Sequence, residues 1–157
     1  MSDLRFGLGF DVHPRDEERP LALGGIRWPD EPGLTGHSDG DVVCHAVADA
    51  LLGAAGLGDI GMHFPESDPD LSGIPGPDLI RRAVALIRDA GFRPDHVDLT
   101  VVADRPQVGP RREEVRDVLA GALGVDGGRV SVKATRPEGL GLSGDGAACL
   151  VVAAIRA

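Results

Sequence analysis

Apolar and polar residues alternate along Leu4–His13 (LRFGLGFDVH), the period-two pattern of a strand. The charged run Pro14–Pro20 breaks that pattern and predicts a loop. Leu21–Leu23 and Ile26–Trp28 flank Gly24-Gly25, which predicts a hairpin. Beyond it the period lengthens. Val42, Val43, Ala46, Val47, Ala50 and Leu51 recur at helical spacing. Ser38 is placed as the N-cap of this helix, with Asp41 three residues on, and the helix ends near Gly53–Gly58. Phe64–Pro77 holds four prolines and no periodicity, so a long loop is expected there. Leu79, Ala83, Leu86 and Ile87 share one face of a helix over Asp78–Ala90, closed by Gly91. Asp98–Ala103 predicts a strand. Pro110 opens a third helix, Arg111–Leu123, with Val115, Val118 and Leu119 as its apolar stripe. Val130–Ala134 and Ala147–Ile155 predict strands on either side of a Gly-rich loop. The last is nearly all apolar, so it is central or buried at a subunit contact. This order predicts an α/β (α+β) two-layer sandwich: a mixed four-stranded sheet plus a small hairpin, with helices on one face.

A length of 157 residues suits one domain, and neither a repeat nor a linker interrupts residues 1–157. Two cysteines, Cys44 and Cys149, make no disulfide framework. No N-terminal apolar run resembles a signal peptide, and no stretch is long and apolar enough to span a bilayer. A soluble cytoplasmic protein is expected. The net charge is −9. Residues 1–80 carry 4 basic and 15 acidic side chains, residues 81–157 carry 12 and 10. Such a balance argues against a nucleic-acid partner, and aromatics at 3% offer few stacking platforms. An acidic half that handled an anionic substrate would need metal ions. The only lysine is Lys133.

Asp11 and His13 lie two apart on a strand, so their side chains share a face. His45 lies one turn beyond the Asp-rich start of the first helix. Two imidazoles and a carboxylate are a ligand set for zinc with an open fourth position. A strand-end Asp capping a turn beside two half-exposed histidines fits the same spacing. Asp59-Ile60-Gly61 reads as a turn in which Asp59 accepts backbone N–H groups. Lys133–Gly141 (KATRPEGLG) runs from a strand into a Thr-bearing, Gly-rich turn that can offer donors to phosphate, although its glycine spacing is not that of a P-loop.

Gly9–His13, Gly24-Gly25, Gly36–Asp41 with His45, Asp49–Gly53, Gly58–Gly61 and Lys133-Ala134-Thr135 with Glu138 and Gly141 occur in one order. In that order the chain resembles the 2-C-methyl-D-erythritol 2,4-cyclodiphosphate synthase family over essentially its whole length. The resemblance implies conversion of 4-diphosphocytidyl-2-C-methyl-D-erythritol 2-phosphate to the cyclic diphosphate and CMP, in non-mevalonate isoprenoid biosynthesis. It implies Zn2+ on Asp11, His13 and His45, and Mg2+ or Mn2+ on Glu138 with the substrate diphosphate. It implies a homotrimer with active sites between subunits, and neither nucleic acid nor membrane as partner.

Residue by residue, the resemblance places Asp11, Val12, His13, His37 and Ser38 at the substrate, with His37 stabilising the transition state. Asp59, Ile60 and Gly61 match the part that binds methylerythritol, and Phe64, Pro65, Glu66, Ser67 and Asp68 match a closing loop. Asp49 matches either an imidazole-orienting acceptor or a ligand of the sugar diol. Ala103, Asp104, Arg105, Pro106, Gln107, Val108 and Gly109 match the segment that reads cytosine. Ala134, Thr135, Arg136, Pro137 and Glu138 match the diphosphate-binding run, and Leu142 stands where Phe is frequent. Arg136 replaces a threonine and is assigned the catalytic phosphate contact of that hydroxyl. Gly144-Asp145-Gly146 lacks an arginine that lines a central channel in relatives. A zinc phosphohydrolase and a catalytically weakened trimeric binding module are the alternatives. The cysteines read as core thiols, and His63 and His96 match no motif.

Overall fold

A computed structural model describes residues 3–141 and 145–157. The strands are β1 (Leu4–Leu23), β2 (Ile26–Leu34), β3 (Arg93–Ala103), β4 (Val130–Thr135) and β5 (Gly146–Arg156). The helices are α1 (Val42–Ala55), α2 (Ile60–His63), α3 (Gly76–Asp89) and α4 (Arg112–Leu123), with 3-10 turns at Pro69–Leu71, Gly109–Arg111 and Gly127–Arg129. One five-stranded sheet has the order β2-β1-β5-β3-β4. Among the described residues only β3 and β4 pair in parallel. The mixed sheet and its helical layer agree with the expected class, with one correction. The hairpin is no separate unit but the edge of a five-stranded sheet.

That correction originates in the charged run after His13. Residues 4–14 of β1 pair with β5, and the chain then continues extended as an arm that pairs with β2. Its register slips between Asp16 and Pro20 and again before Leu21. A bulge tolerates Pro20, which has no N–H for a ladder, and it hides the strand from a period-two pattern. The expected loop Pro14–Pro20 is therefore part of β1.

The expected cap also moves. Asp41, not Ser38, is the N-cap of α1, and its carboxylate accepts from the N–H groups of Val43 and Cys44. Gly40 turns the chain at φ 77° just before it, so Ser38 lies outside the first turn. The buried Asp41 carboxylate also accepts from Gly24 N at 2.9 Å and Gly25 N at 2.6 Å. One side chain thus fastens the hairpin turn to the start of α1. The long loop expected over Phe64–Pro77 contains the 3-10 turn at Pro69–Leu71, and α3 begins two residues early at Gly76.

Period two assigns the two faces of β1. Gly7, Gly9, Asp11 and His13 face α1, whereas Leu4, Phe6, Leu8, Phe10 and Val12 face away. A Cβ at Gly7 would sit 2.0 Å from Ala50 O, and one at Gly9 would sit 1.9 Å from Ala46 O. The two glycines let the α1 backbone lie directly on the strand. Four helical residues advance about 6 Å and two strand residues about 6.7 Å, so the elements stay nearly in step. The core lies between α1, α3, α4 and the sheet, and includes Val47, Leu51, Ile80, Ile87, Leu99, Leu119 and Ile155. The opposite sheet face is apolar and bare: Phe6 is 66% exposed and Leu8 67%, beside Phe10, Leu150 and Val152. Among the described residues no helix is long and apolar enough to cross a membrane.

Candidate active site

Because α1 lies against Gly9, its first turn brings His45 beside Asp11. Asp11 Oδ2 lies 2.7 Å from His13 Nε2 and 3.1 Å from His45 Nδ1. Three donor atoms, one from each residue, lie within 4.8 Å of one another. The far side of each ring is held. His13 Nδ1 contacts the Thr35 carbonyl, and His45 Nε2 lies 2.6 Å from Ser38 Oγ. A carbonyl only accepts, so His13 Nδ1 carries the proton and a neutral ring turns the Nε2 lone pair toward a carboxylate oxygen. That arrangement calls for a cation between them, either a proton or a metal ion. Burial works against both charged forms, but the mutual hydrogen bonds prevail, holding the Asp11 carboxyl well below its usual range and raising the His13 imidazole. The donor set, the open side and the fixed outer nitrogens all fit zinc.

A cavity of about 370 Å³ opens over the triad. Beyond Asp11, His13 and His45, its walls include His37, Ser38, Ile60, Gly61 and Phe64–Glu66. Leu71, Ile74 and Leu79 add an apolar wall that sequence reading missed, because they look like ordinary core residues. Ser67 and Asp68 do not line it, although the Asp68 carbonyl lies 3.3 Å from His37 Nε2. Val12 points its side chain through the far face of the sheet, and its N–H is bonded to Asp11 Oδ1 at 3.0 Å. Asp59 caps α2 by accepting from Met62 N, as the turn reading had it, and is not in the cavity wall.

Several nearby carboxylates act on backbone rather than in the cavity. Asp49 accepts from Ile60 N at 2.8 Å and so fixes the Ile60–Gly61 lip. Burial raises its carboxyl above the usual range. Asp39 accepts from Gly76 N at 2.8 Å and ties this segment to α3. Cys44 and Cys149 are buried in the core, and burial pushes both thiols up, which makes them inert. His63 Nε2 is bonded to the Leu57 carbonyl at 2.7 Å.

The other predicted segments lie elsewhere on this chain. Ala103 pairs with Ala147, which pairs with His13 on the other side. Two strand spacings put the start of Ala103–Gly109 roughly 10 Å from His13. Thr135 pairs with Val102, one strand further out. Neither Ala103–Gly109 nor Ala134–Glu138 lines the triad's cavity. Asp104, Arg105, Pro106 and Gln107 instead border a more open cavity of about 560 Å³ with Trp28–Glu31 and Arg111. Val108 is buried, and Gly109 opens the 3-10 turn. Arg136 and Glu138 are exposed, and Pro137 is buried between them. Glu138 has φ 52°, a left-handed conformation costly for a residue with a Cβ. Glu138 is not part of the Asp11–His13–His45 cluster. Leu142 and Gly144 lie outside the described residues.

Residues 4–156 match the family model described as the YgbB family. The chain belongs to this family. The 2-C-methyl-D-erythritol 2,4-cyclodiphosphate synthase of Symbiobacterium thermophilum is 51% identical over 151 residues, covering 95% of this chain and 96% of that protein. The bifunctional enzyme IspD/IspF of Desulforudis audaxviator is 50% identical over 152 residues, 96% of this chain but 39% of that longer protein. Among solved structures, the bifunctional IspDF from Campylobacter jejuni superposes with a TM-score of 0.92 at 37% identity, covering 99% of this chain and 43% of that one. A CDP-bound 2C-methyl-D-erythritol-2,4-cyclodiphosphate synthase superposes at 0.83 with 36% identity, covering 98% and 99%. The YgbB fold therefore carries the triad, its cavity and both outlying segments of this chain.

Proposed function

We propose that this chain converts 4-diphosphocytidyl-2-C-methyl-D-erythritol 2-phosphate to 2-C-methyl-D-erythritol 2,4-cyclodiphosphate and CMP. The observation that carries the reading is the Asp11–His13–His45 cluster beneath a cavity walled by His37, Ser38 and the Ile60–Glu66 lip, in a chain 51% identical to a synthase of that name. An oxygen of the 2-phosphate forms a bond to the β-phosphorus. The bond from that phosphorus to the bridging oxygen breaks, and its electrons leave with CMP. The nucleophile is already an anion, so no strong base is required. Catalysis then rests on holding two polyanionic groups together and neutralising them. Zn2+ on Asp11, His13 and His45, with Mg2+ or Mn2+ on Glu138, would supply positive charge at the phosphates when bound. His37 and Ser38 present donors at the cavity wall to the reacting phosphates, and Ile60, Gly61 and Phe64–Glu66 enclose the methylerythritol part. Ala103–Gly109 reads the cytosine, and Ala134–Glu138, with Arg136 for the usual hydroxyl, takes the diphosphate.

The working enzyme in this reading is a cytoplasmic homotrimer. The bare apolar sheet face around Phe6, Leu8, Phe10, Leu150 and Val152 supports a subunit contact. The strands separating the triad from Ala103–Gly109 and Thr135 support a site completed by a neighbouring copy. The direct test is CMP release from the authentic substrate by metal-stripped and zinc-reconstituted protein. Zinc-dependent release supports the reading. No release under either condition refutes it and leaves a binding module.

A further inference from the structure

Arg19 lies on the bulged arm of β1, within the register slip between Asp16 and Pro20, and reaches across to the segment that carries His37. Its Nη1 donates to the Gly36 carbonyl and its Nη2 donates to the Ser38 carbonyl at 2.6 Å. One guanidinium thus grips the backbone on both sides of His37. The neighbouring carbonyls are also taken: Thr35 O contacts His13 Nδ1, and His37 O accepts from Gly73 N at 3.1 Å. Four successive carbonyl oxygens are therefore anchored, two of them by Arg19.

We propose that Arg19 is the positioning residue for His37 and Ser38. This rests on the functional reading above, in which those two side chains meet the reacting phosphates. Among the described residues the His37 ring has one hydrogen-bond partner, the Asp68 carbonyl at 3.3 Å, so its aim depends strongly on its own backbone. Ser38 links the same grip to the metal cluster, since its Oγ lies 2.6 Å from His45 Nε2. A planar fork with several fixed donors can hold two carbonyls two residues apart, whereas a lysine is a point donor that satisfies one at a time. A misplacement of about 1 Å at a reacting group can cost on the order of 100-fold in rate.

The test compares zinc-loaded full-length wild type with Arg19→Ala and Arg19→Lys, reading steady-state kinetics and the side-chain resonances of 15N-labelled histidines. Arg19→Ala lowers kcat at least about tenfold while KM stays within about threefold. Millimolar guanidinium restores part of that kcat and leaves wild type unaffected, and Arg19→Lys falls between the two. The His37 ring resonance moves in Arg19→Ala while those of His63 and His96 stay in place. An unmoved His37 resonance with wild-type kcat overturns the assignment. So does a loss of kcat that guanidinium does not restore with the His37 ring unmoved, which gives Arg19 a stabilising role only. If Arg19→Ala does not fold, the same readouts on Arg19→Lys decide. Should wild type release no CMP, the functional reading fails by itself, and the His37 resonance still decides whether Arg19 positions that ring.

Discussion

Replacing Gly9 by alanine adds one methyl where the backbone of α1 touches the sheet. The new Cβ would sit 1.9 Å from Ala46 O, whereas ordinary contact begins at 3.4 Å. The obstacle is backbone, so α1 must retreat by about 1.5 Å. Overpacking of this kind costs about 1–3 kcal/mol. The same retreat carries His45 away from Asp11, stretching a 3.1 Å approach far beyond the roughly 0.2 Å that a metal site tolerates. Gly9→Ala should therefore lose stability and zinc affinity together. Gly53→Ala, on the exposed side of the same helix, meets nothing within 4 Å. It should stabilise by about 0.5–1 kcal/mol through helix propensity and leave zinc binding unchanged. Urea unfolding of the metal-free proteins and zinc titration against a chromogenic chelator measure both effects. Gly9→Ala with wild-type stability and zinc affinity would refute the close-contact argument.

Asp41→Ala should destabilise by at least about 2 kcal/mol in urea unfolding, because it removes a helix cap and strands the buried Gly24 amide and the half-buried Gly25 amide. In the metal-free protein, Asp11 and His13 set a stability window. Asp11, depressed in the fold, stabilises above its ordinary value of 3.8, and this is lost as pH falls through the depressed value. His13, raised in the fold, stabilises below its ordinary 6.5, and this is lost as pH rises through the raised value. Melting temperatures of wild type minus Asp11→Asn should thus be most positive at about pH 4–6.5 and shrink on both sides. Leu8→Glu, on the bare sheet face, should convert the proposed trimer to monomers in light scattering; an assembly of unchanged mass would remove this face from the interface.

Much of the site is legible because short-range rules place it. Period two alone sets Asp11 and His13 on one face of β1, and helical spacing identifies the α1 segment that carries His45. Long-range ties were not legible. Arg19 reaches carbonyls 17 and 19 residues away, and its arm of β1 is bulged, so neither its strand nor its target shows in local pattern. Ser38 matches a cap preference as well as Asp41 does. Its hydroxyl faces His45 instead, a contact fixed only after Gly40 turns the chain. Gly7 and Gly9 read as weak strand residues until α1 is packed against them, when they become the reason His45 meets Asp11.

Product identity tests the central claim most directly. Zinc-reconstituted protein is incubated with 4-diphosphocytidyl-2-C-methyl-D-erythritol 2-phosphate, and the mixture is followed by 31P NMR. Intramolecular attack predicts CMP in equal amount to a product whose two phosphorus nuclei couple through one bridging oxygen, with no product formed by His45→Ala. CMP accompanied by two uncoupled phosphomonoester signals would show that water was the nucleophile, and would contradict a cyclising synthase.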